Sequence, residues 1–160
     1  MKKYIIIILT IALLFGVGAW LYSYCTTPDN DLSNEQIGNL LIKDTFENKD
    51  KAFAIDPMVQ LDGKLFYRLE KDKGLIVRVD KKKKQITAIM LFHNKKIQTS
   101  RDIAIGHSKE AVIDAYGETY KKSLLPKKQT QFYYKDKENH IGMKFIFKKD
   151  NLVKIELFEE

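Results

Sequence analysis

Cysteine and histidine are scarce in this chain of 160 residues, and each scarcity excludes a class of protein. The single cysteine, Cys25, excludes an internal disulfide framework and any zinc site built from several thiolates. The three histidines, His93, His107 and His140, include no pair spaced three or four residues apart, so no helical histidine pair exists for a metal. We therefore expect no metal site, no cofactor and no catalytic residue.

The overall composition is that of a folded protein. Apolar residues make up 44% and charged residues 31% of the chain, which excludes general disorder and fibrous repeats. The length fits one ordinary domain plus a short extra segment. The net charge of +7, from 28 basic and 21 acidic residues, favours anionic partners.

The extra segment lies at the N-terminus and has the features of a membrane anchor. Residues 5–24 form a run of 20 residues without a formal charge, preceded by Lys2 and Lys3. A helix of that length reaches about 30 Å, which matches the core of a bilayer. Trp20, Tyr22 and Tyr24 gather at its far end, where aromatic rings favour the membrane interface. The lysines before the run predict a single-pass protein in the cell membrane with a cytoplasmic N-terminus and an extracytoplasmic domain.

Three fates of this segment compete. A retained signal anchor fits the length of the apolar run, which exceeds the usual core of a cleaved signal. A cleaved secretory signal would use Ser23 and Cys25 as the small residues before the cut. A lipoprotein signal would end at Cys25, although Tyr24 stands where a small residue is required. In each case residues 1–25 are the targeting segment and residues 26–160 are the extracytoplasmic domain.

The domain carries one pattern twice. Residues 74–92 and residues 142–158 each contain a glycine, an alternating apolar strand, a charged turn and a second apolar strand. The preceding segments, residues 66–74 and residues 132–142, also match in kind. Each unit therefore predicts three antiparallel strands joined by tight hairpins, with the units at about residues 31–92 and 101–160.

A helix is predicted to open each unit. Ser33 and Ser108 stand at the N-cap positions, since a serine hydroxyl accepts a hydrogen bond from a free amide of the first turn. The first helix would run towards Phe46. The second would end at Tyr116, because Gly117 adopts the left-handed conformation that stops a helix.

The strand alternation predicts one buried and one solvated face of the sheet. Leu75, Val77 and Val79 share the apolar side, and two further strands repeat the pattern with residues 143, 145 and 147 and with residues 153, 155 and 157. The fold class is thus α+β: tandem helix-plus-three-stranded units forming one meander sheet, with helices on one face. The opposite face is the broadest surface for a partner.

The stretch from Ile103 to Glu118, IAIGHSKEAVIDAYGE, resembles a motif of small extracytoplasmic bacterial proteins. It is similar to the superfamily of SmpA/OmlA envelope lipoproteins and β-lactamase-inhibitory proteins. The resemblance covers most of residues 103–158 and, through the repeat, extends weakly to residues 33–92. It implies a helix-plus-sheet unit that binds other proteins. The residues that carry it have structural roles in turns, caps and core, and they are Gly106, Ser108, Val112, Tyr116 and Gly117.

His107 followed by Ser108 offers one enzymatic hypothesis, a nucleophile beside its base. A small hydrolase using His107 or His140 is the corresponding function. A capping serine at a helix N-terminus is the simpler interpretation of the same residues.

Two candidate contact surfaces follow. Tyr133, Arg78, Lys144 and Lys154 are expected on the solvated face and are candidates for binding a protein, because exposed aromatic residues are frequent hot spots. Lys81, Lys82, Lys83 and Lys84 form a charged hairpin tip and are candidates for contact with a polyanion.

We expect a non-enzymatic, membrane-anchored envelope protein that binds another protein, of inhibitor or immunity type. The alternative is an envelope-maintenance protein that contacts anionic wall or membrane polymers. Nucleic acid is not an expected partner.

Overall fold

The computed structural model describes residues 10–18, 29–48, 51–57, 59, 61–71 and 74–160. These residues form a mostly antiparallel β structure with two helices, so the α+β class is confirmed. Helix α1 covers residues 10–18 and helix α2 covers Lys109–Tyr116. A short 3₁₀ turn, Pro126–Lys128, lies between two strands.

The predicted membrane span falls largely outside the described residues. Its described part, α1, exposes all nine of its residues, including Leu13, Leu14 and Phe15 at 65–78%. None of the helices in the described ranges is long and apolar enough to cross a bilayer. Cys25 and the aromatic residues before it also lie outside the described residues.

Ten strands in the described residues make two sheets. The small sheet pairs β1 (Gln36–Ile37) with β2 (Leu40–Leu41). The large sheet has eight strands in the order β3-β4-β5-β6-β10-β9-β8-β7. Its strands are β3 (Phe53–Ile55), β4 (Lys64–Leu69), β5 (Leu75–Asp80), β6 (Ile86–Phe92), β7 (Lys121–Leu125), β8 (Gln129–Asp136), β9 (Ile141–Lys148) and β10 (Asn151–Glu159).

The path of the large sheet differs from the predicted meander. Strands β3 to β6 form one four-stranded meander and β7 to β10 form a second, and the two join where β6 pairs with β10. Each half thus has four strands, one more than predicted. The additional strands β3 and β7 lie at the two sheet edges and lack a clear apolar alternation. β3 has only three residues and β7 has two apolar residues next to each other, so neither gives a periodic signal.

The predicted first helix, from Ser33 to Phe46, is wrong. This segment forms β1, β2 and loops, and a two-residue turn at Gly38 and Asn39 connects the two strands. Gly38 has a φ of 62°, and its amide donates to the carbonyl of Gln98 at 2.7 Å. A glycine inside a helix costs about 1 kcal/mol, whereas Gly-Asn is a common hairpin dipeptide. Pairing with the rest of the domain therefore outweighs the helical spacing of the apolar residues.

The second helix is confirmed. The hydroxyl of Ser108 accepts a hydrogen bond from the amide of Ala111 at 3.2 Å, which makes it the N-cap. Gly117 ends the helix with a φ of 82°, and its amide donates to the carbonyl of Ile113. Ser108 thus has the predicted capping role.

The core lies on one side of the large sheet, here called the inner face. Tyr116 of α2 packs on Tyr134 and Phe145, with ring centroids 5.5 and 4.8 Å apart. Over the other half, the loop after β2 takes the place of the predicted helix, and its Phe46 packs on Phe53 and Tyr67. Among the described residues, α2 and the loop after β2 thus cover the inner face together with β1 and the segment before α2, which add Ile37, Ile103 and Ile105 to the core.

One predicted core position is shifted. Leu152 is 1% exposed and occupies the inner face, whereas Val153 is only half-buried. The cause is a β-bulge between Leu152 and Lys154 in the pairing of β10 with β9. A bulge adds a residue without a partner and changes the alternation at that point. Ile155 and Leu157 keep the predicted inward positions.

A buried polar network joins the N-terminal segment to α2. Glu35 is 3% exposed, and its carboxylate accepts hydrogen bonds from the hydroxyls of Ser100 at 2.6 Å and Tyr116 at 2.8 Å. The Arg101 guanidinium lies 3.2 Å from the same carboxylate and 4.7 Å from the centroid of the Tyr116 ring. Burial, and then the adjacent negative charge of Glu35, raise the pKa of the Tyr116 hydroxyl. The network fixes the segment on the inner face.

Candidate protein-binding face

The side of the large sheet opposite the core is here called the outer face. Its side chains come from the positions that alternate with the core residues along each strand. The register aligns them in rows across the sheet, because partner residues of neighbouring strands point to the same side. The outer face comprises Lys64, Phe66, Arg68, Ile76, Arg78, Met90, Phe92, Tyr133, Lys135, Lys144, Ile146, Lys148, Lys154, Glu156 and Phe158.

Apolar and aromatic side chains occupy the middle of the outer face although no described helix packs on it. Five of these side chains are only half-buried although each lies on a strand with a neighbour on both sides, and they are Phe66, Met90, Phe92, Ile146 and Phe158. Side chains in such central positions are usually covered on both faces or polar on one. An apolar sheet face bordered by charges is typical of an interaction surface.

The structure places all four predicted protein-binding residues on the outer face. Tyr133 on β8 and Lys144 on β9 are direct cross-strand partners. Lys154 lies on β10 and Arg78 on β5, so the four residues span five adjacent strands. Phe132 and Tyr134, which flank Tyr133, are buried on the inner face as strand alternation requires.

Tyr133, Lys144 and Phe158 form one cluster. The ammonium of Lys144 lies 4.3 Å from the centroid of the Phe158 ring and 5.9 Å from that of the Tyr133 ring. The two rings are nearly parallel, at 13°, with centroids 6.4 Å apart. Both distances to the ammonium are within the range of cation–π attraction. The cluster therefore presents two aligned aromatic rings with a positive charge held beside them.

Gly142 makes room for this arrangement. A Cβ atom at position 142 would lie 2.6 Å from the ring atom Cζ of Phe158, closer than side chains approach. Gly142 and Phe158 are cross-strand partners on β9 and β10, so the ring lies across the bare glycine backbone. An aromatic ring over a strand glycine shields the backbone and fixes the ring's position. Phe158 was missed from the sequence, and the paired Gly142 was the available signal.

An ion pair closes one side of the cluster. The Tyr133 hydroxyl donates a hydrogen bond to the carboxylate of Glu160, and the Lys135 ammonium lies 2.5 Å from that carboxylate. Burial, together with the hydrogen bond to Glu160, raises the pKa of Tyr133. Tyr133 is thus neutral and oriented at physiological pH.

Arg78 and Lys154 are engaged within the face. The Nε and Nη2 atoms of Arg78 both donate to Thr87, to its hydroxyl and its carbonyl, at 3.0 Å each. Thr87 is the extra residue of a bulge in the β5·β6 pairing. Lys154 pairs with Glu156 at 3.0 Å, both about one quarter to one third exposed. These contacts fix the side chains in place while their outer surfaces stay accessible.

The lysine run forms the β5–β6 turn, as predicted. Lys81, Lys82, Lys83 and Lys84 are all exposed. The carboxylate of Asp80 accepts hydrogen bonds from the amides of Lys82 and Lys83 at 2.9 Å each. The Lys64 ammonium, 2.8 Å away, and then the Lys83 amide hold the pKa of Asp80 far below its usual value. Asp80 thus orders the turn, and the four ammonium groups point into solvent.

The histidines occupy separate places. His93 and His140 have left-handed φ angles of 68° and 55° in turns, and His107 precedes the N-cap of α2. Within the described ranges, no three His, Cys, Asp or Glu side chains are grouped closely enough to hold a metal ion.

Comparison with family models, with curated proteins and with solved structures gives no match for this chain. The resemblance to the SmpA/OmlA and β-lactamase-inhibitory superfamily therefore stays a prediction.

Proposed function

We propose that this protein is a membrane-anchored, extracytoplasmic, non-enzymatic binding protein whose outer face binds another protein of the bacterial envelope or a secreted protein. The inhibitor and immunity types of binding protein fit this description. The observation that carries the proposal is the outer face itself. Partly exposed aromatic and apolar side chains cross its central strands.

The Tyr133–Lys144–Phe158 cluster is the proposed centre of the contact. Aromatic side chains held rigidly lose little conformational freedom on binding, which is one reason that tyrosine is enriched among hot spots. Here the rings are fixed by the Glu160 hydrogen bond and by the bare backbone of Gly142. Within the part of the chain that the structure describes, Lys121, Lys144 and Lys148 form no salt bridge with an acidic side chain, and they add positive charge around the rings.

The anchor is supported by sequence and by the described part of the segment. Residues 5–24 carry no formal charge, and the nine described residues among them are helical and exposed. Exposed Leu13, Leu14 and Phe15 side chains on a helix favour an apolar environment. With Lys2 and Lys3 before the run, we propose that the domain lies outside the cell.

Affinity capture from an envelope extract tests the binding role. The full chain in detergent is compared with the variant Tyr133→Ala/Lys144→Ala and with the matched control Lys122→Ala/Leu124→Ala. The control removes one lysine and one large apolar side chain, both exposed, from the other side of edge strand β7. We expect a protein that wild type and control retain, and that binds the first variant about 30-fold more weakly, as loss of a hot spot of about 2 kcal/mol implies. Equal retention by all three chains, or no specific protein at all, contradicts the proposal.

A second function, contact with anionic polymers in envelope maintenance, is favoured by one observation. The four lysines of the β5–β6 turn are exposed and are presented together by Asp80. Binding of this kind weakens as salt is added, because ions screen exposed charges. Binding to wall polymers that persists unchanged at high salt excludes it.

A further inference from the structure

Several loops meet at the end of the large sheet where β4 begins and β5 ends. The partner pairs Lys64–Asp80 and Asp136–Ile141 place the β3–β4 loop, the β5–β6 turn and the β8–β9 turn at this same end. The first residue of the described domain is also there, because the Asp29 carboxylate accepts a hydrogen bond from the amide of Lys137 at 2.8 Å. The chain from the proposed anchor therefore enters the domain at this end.

Exposed lysines and exposed apolar side chains lie side by side at one corner of that end. The amide of Lys81 donates to the carbonyl of Gly63 at 2.9 Å, so the lysine turn touches the β3–β4 loop. Ile55, Val59 and Leu61 are 57%, 40% and 54% exposed, although large aliphatic side chains are usually covered. This corner, defined by Ile55, Val59, Leu61 and the lysine turn 81–84, is here called the lysine corner.

The lysine corner surrounds a shallow groove of about 430 Å³, lined by Ile55, Leu61, Leu65, Phe66 and Lys81 among others. Two acidic residues line the groove: Asp56 is buried and paired with Arg68, and Asp62 is exposed. Asp80 beside it is engaged by Lys64 and by the turn. Because Asp56 and Asp80 each have a basic partner, the four lysines of the turn leave the local charge net positive. The more acidic pocket formed by Asp29, Asp31 and Glu138 lies across the sheet, near β8.

The proposed anchor holds this end close to the bilayer. Only residues 25–28 separate the apolar run from Asp29, and four residues span at most about 14 Å. Four strand spacings separate β8, where Asp29 is attached, from β5, which leads into the lysine turn. That distance is about 19 Å. The lysine corner is therefore within reach of the membrane surface to which the chain is tethered.

We infer that the lysine corner docks on the outer surface of an anionic phospholipid bilayer. The inference rests on the proposed anchor. The ammonium groups of Lys81 to Lys84 contact lipid phosphates, and Ile55, Val59 and Leu61 enter the boundary between headgroups and acyl chains. Combined basic and apolar contacts of this kind are how peripheral proteins bind anionic bilayers. Docking at this corner leaves the Tyr133–Lys144–Phe158 cluster, on strands β8 to β10 of the other half of the sheet, free for its partner.

The test places a tryptophan reporter in the full chain, reconstituted into vesicles. The background variant Trp20→Phe removes the native tryptophan, and Leu61→Trp reports on the corner. Leu124→Trp is the matched control, because Leu124 is 82% exposed and lies at the opposite end and far edge of the sheet. Vesicles of phosphatidylcholine alone are compared with vesicles that also contain phosphatidylglycerol. Quenching by brominated acyl chains measures contact with lipid, and flotation in high salt measures anchoring.

Quenching at position 61, but not at position 124, is expected in the phosphatidylglycerol vesicles. Replacing Lys81 to Lys84 by glutamine should lower the ratio of docked to undocked domain by roughly a hundred- to a thousandfold. The same change at Lys121, Lys122, Lys127 and Lys128 should leave it unaltered. Anchored protein with no quenching at position 61, or with equal quenching at both positions, overturns the docking but not the anchor. Protein that fails to float with the vesicles overturns both.

Discussion

Replacing Glu35 with alanine should be among the most destabilising single changes in the domain. The carboxylate is almost fully buried, and it is the common acceptor for Arg101, Ser100 and Tyr116. Its removal leaves a guanidinium and two hydroxyls without their shared partner. Breaking a buried ion pair from one side costs about 3–5 kcal/mol, whereas exposed pairs contribute about 0–1 kcal/mol.

Urea denaturation of the full chain in detergent, followed by far-UV circular dichroism, measures this cost. With a slope of about 2 kcal/mol per molar urea, we expect the midpoint to fall by roughly 2 M in Glu35→Ala. The urea midpoint of Arg101→Ala should fall by a comparable amount. The Arg101 side chain is 39% exposed, so water offsets part of the lost interaction. Lys109→Ala is the control, since its pair with Asp150 is long, at 4.0 Å, and exposed. A midpoint for Glu35→Ala within 0.5 M of the control, by the same slope about 1 kcal/mol, would refute the reasoning.

Three further predictions concern the sheet and the caps. Gly142→Ala should lower the free energy of unfolding by about 1–3 kcal/mol, because the added Cβ overlaps the Phe158 ring. Since Phe158→Ala removes that ring, the urea midpoint of Phe158→Ala/Gly142→Ala should show partial recovery. Ser108→Ala should cost about 1 kcal/mol through loss of the α2 cap, while Ser108→Asp, another capping residue, should be nearly neutral. For Asp136, burial favours the neutral form, but hydrogen bonds from the amides of Asn139 and Leu32 outweigh it and lower the pKa. The ionised Asp136 therefore stabilises the fold above about pH 4, and this stabilisation is lost as the pH falls through the lowered pKa. Acid should thus destabilise Asp136→Asn less than wild type. Equal acid sensitivity of the two chains would count against this.

The parts of the fold that followed from the sequence are those with a strong local signal. Strands β5, β9 and β10 alternate apolar and polar residues on an open sheet, and α2 has both a cap and a terminating glycine. The segment from Ser33 to Phe46 has the apolar spacing of a helix, yet its residues pair with Gln98, Thr99 and Ile86 far along the chain. Contacts so distant in sequence leave no periodic signal, and the Gly-Asn turn was the one local indication.

The candidate site shows the same division. Alternation was sufficient to place Tyr133, Arg78, Lys144 and Lys154 on one face. Their distribution over five adjacent strands depends on the β6·β10 junction, which no local pattern specifies. The role of Phe158 likewise depends on the register that sets it opposite Gly142.

The central claim, that the outer face of the tethered domain binds a protein, is tested most directly by photo-crosslinking in living cells. A photoreactive phenylalanine analogue at Ile146, in the middle of the outer face, is compared with the same analogue at Leu124. We predict one discrete crosslinked protein from position 146 and none from position 124. No crosslinked product from position 146, or the same products from both positions, would contradict the account.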